Sequence, residues 1–84
     1  MKTLNPTRVE QWVRMEVRKL ERAHIQVYTA HFSRTHWRAT IKVRDPDETQ
    51  VVYEAEDRMR TRGVPFEARD GPDGRDWDIR FDHR

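Results

Sequence analysis

The chain contains no cysteine, which excludes a disulfide framework and any thiolate-held metal. It has no apolar run long enough to span a bilayer. Residues 1–6 lack the apolar stretch of a secretory signal. These absences lead us to expect a soluble, cytoplasmic protein with no membrane partner. There is no glycine-rich phosphate loop and no serine-nucleophile motif. The spacing of His24, His31, His36 and His83 fits no zinc motif, and residues 70–76 lack the full calcium-loop pattern. No cofactor and no metal are therefore expected. Lysine is also scarce: only Lys2, Lys19 and Lys42 stand among 17 basic residues. The arginine bias reads first as the mark of a GC-rich genome.

What is present suits a small folded unit. Eighty-four residues make one domain, 1–84, with a thin core, because a chain this short buries only about 60–65% of its unfolded surface. Charged residues reach 38%, yet the net charge is only +2. Disorder requires a large net charge as well as low hydrophobicity. Three Trp, three Phe and two Tyr supply large buried area per residue.

The apolar residues are periodic. Asn5 as cap and Pro6 at the first helical position open a helix over about 6–23, with Val9, Val13, Val17 and Leu20 at helical spacing. Residues 24–32 and 36–44 read as a hairpin around Ser33-Arg34-Thr35. In its second strand Trp37, Ala39, Ile41 and Val43 alternate with His36, Arg38, Thr40, Lys42 and Arg44. Asp45, Pro46 and Glu48 form a helix start. Val51, Val52, Ala55 and Met59 form its stripe, Glu54–Arg58 and Glu56–Arg60 its ion pairs, and Gly63 its end. A rival reading makes 49–55 a strand; caps and ion pairs favour the helix. Val64, Phe66 and Ala68, then Trp77, Ile79 and Phe81, alternate around Gly71-Pro72-Asp73-Gly74. The expected fold class is α+β in the order α-β-β-α-β-β, with two helices on one face of a four-stranded, mainly antiparallel sheet and the other face open.

Charge is segregated along the chain. Ten Lys/Arg against three Asp/Glu precede Asp45, giving +7; seven Arg against twelve acidic residues follow, giving −5. If the halves are apart in space, the dipole steers a charged partner. If they pack together, they neutralise each other. A three-residue hairpin loop places Phe32 opposite His36, Ala30 opposite Arg38, Tyr28 opposite Thr40, Gln26 opposite Lys42 and His24 opposite Arg44. Such a face interleaves aromatics with cations, as single-stranded nucleic acid requires; a one-residue slip would put Tyr28 and Phe32 in the core instead. Arg14, Arg18 and Arg22 form a second basic ridge, with Glu10 and Glu21 as available partners. Glu16 falls inside the apolar stripe and requires a partner, an Arg or His of the sheet or a neighbouring subunit.

The candidate binding residues are therefore Arg38, Lys42, Arg44, His36, Tyr28, Arg14, Arg18 and Arg22, with no catalytic set among them. The expected function is a non-enzymatic binding module whose basic half docks on nucleic acid or on a nucleic-acid-handling protein. In composition it is like small inhibitors and adaptors of phages and mobile elements, an analogy that carries no family relation. Two alternatives stand beside it. One is a metal-independent endoribonuclease using the histidines with Arg38 or Arg44. The other is an assembly subunit that joins its basic half to a neighbour's acidic half. Separately, the thin core leaves Trp12 and Met15 available to a homodimer.

Overall fold

A computed structural model describes residues 6–32, 36–72 and 74–80. The element order is α1 (Pro6–Arg22), β1 (Gln26–Phe32), β2 (His36–Lys42), α2 (Pro46–Thr61), β3 (Phe66–Gly71) and β4 (Gly74–Arg80). The sheet order is β1-β2-β4-β3, and every neighbouring pair is antiparallel. Both helices lie on one side of the sheet. The expected α+β architecture is the one observed, and residues 49–55 are helical.

Each helix forms and stops for identifiable reasons. The Asp45 side chain accepts the Glu48 N–H at 2.9 Å and caps α2, with Pro46 as first helical residue. Glu48 does not close the capping box on Asp45; it accepts the preceding Arg44 N–H at 2.9 Å. The cap expected at Asn5 lies outside the described residues. Both helices end in the same motif. Val64 N–H donates to Met59 C=O and Gly63 N–H to Arg60 C=O; Ile25 N–H donates to Leu20 C=O and His24 N–H to Glu21 C=O. These are paired six-to-one and five-to-two bonds around a left-handed residue. That residue is Gly63 (φ 80°) in one case and His24 (φ 65°) in the other.

The core lies between the layers. Val9, Val13 and Leu20 of α1 and Val52, Ala55 and Met59 of α2 meet Trp37, Ala39, Ile41, Trp77 and Ile79 of the two central strands. The β2 alternation is as expected, with Trp37, Ala39 and Ile41 inward. Phe66 and Ala68 are only half-buried on edge strand β3. Phe81 and the turn at 33–35 lie outside the described residues.

One part of the first hairpin differs from expectation. Gln26 pairs with Lys42 and Tyr28 with Thr40, but a bulge between Thr29 and His31 shifts the rest. His31, not Ala30, stands opposite Arg38, and Phe32 stands opposite Trp37 instead of His36. The extra residue in the bulged strand flips all later positions by one.

Candidate functional site

The open face of the sheet is a mixed-charge surface. β4 lies beside β2 with Arg38 opposite Asp78 and Thr40 opposite Asp76. His36 Nε2 lies against Asp78 Oδ1. Arg38 Nε is 3.7 Å from Asp78 Oδ2, although its side chain keeps 61% exposure. Thr40 Oγ1 donates to Asp76 Oδ1 at 2.9 Å. Arg44 is tied down more firmly, because Nη2 and Nε donate to Glu48 Oε2 at 2.6 and 3.1 Å. Nη2 also donates to the His24 carbonyl at 3.1 Å. The Glu48 hydrogen bonds raise the Arg44 pKa and hold the Glu48 carboxyl below the usual glutamate range. Tyr28 is half exposed, with its hydroxyl donating to Gln26. Lys42 is exposed, with no acidic partner among the described residues. So the acidic residues after Asp45 engage three of the four β2-side positive or titratable groups: His36, Arg38 and Arg44.

The ridge on α1 is divided in a similar way. Arg14 Nη2 pairs with Glu10 at 2.8 Å. Arg18 and Arg22 are exposed and have no acidic partner among the described residues, so the Glu21–Arg18 pair does not form. The ridge residues do not converge with those of β2, because the helices cover the opposite face of the sheet.

The basic cluster that sequence reasoning did not assemble sits on the seam between α1 and α2. Glu16 is fully buried. Arg58 Nε donates to both of its carboxylate oxygens at 3.1 Å, and Arg58 Nη2 donates to Oε1 at 2.8 Å. Arg62 Nη1 lies 3.3 Å and Lys19 Nζ 4.0 Å from Oε2. Glu16 therefore finds its partners on the second helix, on that helix's C-terminal cap and on Lys19 of its own helix, not on the sheet. Arg58 leaves its expected Glu54 partner because a buried carboxylate gains more from a bidentate donor than an exposed one does. Arg62 also stacks on Trp12, 5.7 Å from the ring centre. Three cations thus share one carboxylate, which leaves an excess of positive charge. Arg8 and Arg22 are exposed on the α1 stripe that carries Lys19 and Met15. Arg58 and Arg62 stand four apart at the end of α2, and Glu16 interrupts an apolar stripe. Those two signals mark a buried acid and a basic helix end, but only the packing of α1 against α2 joins them.

A second buried carboxylate fastens the other helix. Arg75 Nε and Nη2 donate to Glu56 Oε2 and Oε1 at 2.8 and 2.9 Å. Trp77 Nε1 donates to Glu56 Oε2 at 2.7 Å. Arg75 also reaches Asp70 at 3.0 Å and lies over the Tyr53 ring. Its pKa is raised, first by the Glu56 hydrogen bond. Every strong donor here is already used, so this network is an anchor between α2 and β4.

Among the described residues no three His, Asp or Glu side chains are placed to hold a metal ion. No described helix is long and apolar enough to cross a membrane. His83 lies outside the described residues. The chain matches no protein-family model, and a search of curated proteins gives no match either.

Proposed function

We propose that the protein is a non-enzymatic binding module that docks on a polyanionic partner, nucleic acid foremost, and that it does so with its helix side. The observation that carries this reading is the seam where Lys19, Arg58 and Arg62 converge on the single carboxylate of Glu16. The buried acid holds the guanidiniums in place without cancelling their charge. Preorganised arginines lose less side-chain freedom on meeting a phosphate. Arg8 and Arg22 extend the positive strip over about 21 Å of helix. That length faces several phosphates, since a duplex carries a charge about every 1.7 Å along its axis. The sheet side supports the reading less well, because Asp76 and Asp78 of β4 interleave with the β2 cations.

The test is fluorescence anisotropy with a single-stranded RNA and a DNA duplex across a salt series. Replacing Arg8, Lys19 and Arg22 together by Glu is expected to abolish binding, and wild-type affinity is expected to fall steeply with salt. Reversing Arg38 and Lys42 to Glu is expected to weaken it only modestly. The reading fails if the triple variant binds as wild type does. It is replaced by the ribonuclease alternative if the RNA is cleaved and His36→Ala abolishes cleavage.

A further inference from the structure

The two edges of the sheet are built differently. Edge strand β3 exposes Glu67, Arg69 and Asp70. Charges of this kind discourage pairing with another chain. Edge strand β1 has no such charges, and its bulge lies beyond Thr29, which leaves the start of the strand regular. Residues 23–33 form the longest stretch without Asp, Glu, Lys or Arg in a chain that is 38% charged. Gln26, Tyr28 and Thr29 are nevertheless exposed. An edge strand offers a row of free backbone N–H and C=O groups, and β1 leaves that row uncharged.

A groove runs beside this edge. It has a volume of about 380 Å³ and is floored by Val13, Val17, Thr29 and Trp37, with Arg18 and Glu21 on its rim. These two rim residues have opposite charge, and neither has an ionic partner among the described residues. They are three positions apart on α1, so a two-fold axis beside the helix, level with the midpoint between them, sets each Arg18 on the other copy's Glu21. A surface that satisfies itself in this way fits an isologous contact.

The spacing agrees. A second β1 joined at the edge lies about 4.8 Å away. With α1 above the β1–β2 half of each sheet, the two α1 helices come to about 10 Å apart, a normal helix-packing distance. α1 runs antiparallel to β1, and its last residue, Arg22, lies near the start of the strand at Gln26. A point between Arg18 and Glu21 is about 4 Å back along the helix, roughly one strand residue. The axis therefore passes near Val27, and pairing uses the stretch Ile25–Thr29, before the bulge, with Gln26 opposite Tyr28 and Thr29 opposite Ile25.

We propose that β1 is a docking edge for a second copy of this chain, paired antiparallel about Val27, with Arg18 of each copy seated against Glu21 of the other. The product is a continuous eight-stranded sheet with four helices on one side, and the half-buried Val17 residues close the groove between them. This inference is independent of the polyanion reading.

Sedimentation equilibrium over a concentration series tests it. Wild type is expected to dimerise. Arg18→Glu and Glu21→Arg each place like charges in contact twice and are expected to weaken the dimer on the order of tenfold. The double variant R18E/E21R is expected to restore it. All three carry changes at exposed positions, and circular dichroism checks that each folds. Hydrogen exchange is expected to show amides of 26–29 gaining protection with concentration while those of 66–71 do not. A monomer at every concentration overturns the proposal, whatever other strand the edge receives. So does a dimer indifferent to both single charge changes, or one that protects β3 in place of β1.

Discussion

Arg58 grips both carboxylate oxygens of Glu16 across the seam between the helices, and the two partners differ sharply in exposure: Glu16 is fully buried while the Arg58 side chain is 40% exposed. That inequality makes the pair's two deletions unequal. Arg58→Met strands a carboxylate in the core, with only Arg62 and Lys19 left to it, and is expected to cost about 2–3 kcal/mol. Glu16→Met leaves cations that turn to water and fills the stripe with an apolar side chain; its expected cost is below about 1 kcal/mol. Urea denaturation at neutral pH measures both. Equal losses would show that the bond, and not the stranded acid, sets the stability.

The Arg44–Glu48 contact gives the fold a dependence on acid. Hydrogen bonds from the Arg44 side chain and backbone hold the Glu48 carboxyl below its usual range. A carboxyl whose pKa is lower folded than unfolded stabilises the fold above the ordinary glutamate range. That contribution is lost as pH falls through the folded value. Wild type is therefore expected to lose melting temperature below about pH 5 more steeply than Glu48→Gln does. Parallel melting profiles for the two proteins would remove Glu48 from the acid response.

His24 ends α1 at φ 65°, where Gly63 ends α2 at φ 80°. A side chain with a Cβ is disfavoured in this conformation by about 1 kcal/mol or more. His24→Gly is expected to stabilise by about 0.5–1 kcal/mol, and Gly63→Ala to destabilise by about 1 kcal/mol. In a domain of this size that is a shift of about 4–8 °C per kcal/mol. Calorimetry reads both; a lower melting temperature for His24→Gly would mean that the imidazole does something the glycine cannot.

The parts of the fold that were legible in the sequence are those written locally. Asp45-Pro46 and Gly63 mark the ends of α2 in their own chemistry, and the inward alternation of Trp37, Ala39 and Ile41 needs no knowledge of topology. The bulge at Ala30 was not legible, because no residue type there demands one. The partner of Glu16 was not legible either. Glu54 stands at the favourable four-residue spacing from Arg58, and only the packing of α1 against α2 shows that a buried acid outcompetes it. The placement of Asp76 and Asp78 beside the β2 cations required the β2–β4 pairing, a relation between strands nearly forty residues apart. The charge split was visible at once, but its distribution over two faces depended on that same pairing.

The two middle strands come one from each αββ half, so neither half closes a sheet of its own. β2 finds β4 only after the intervening loop, with all of α2 in it, has folded back, and that step carries a substantial loop-closure entropy. The hairpins β1–β2 and β3–β4 are local, so the seam between β2 and β4 is the step that turns two ribbons into one layer.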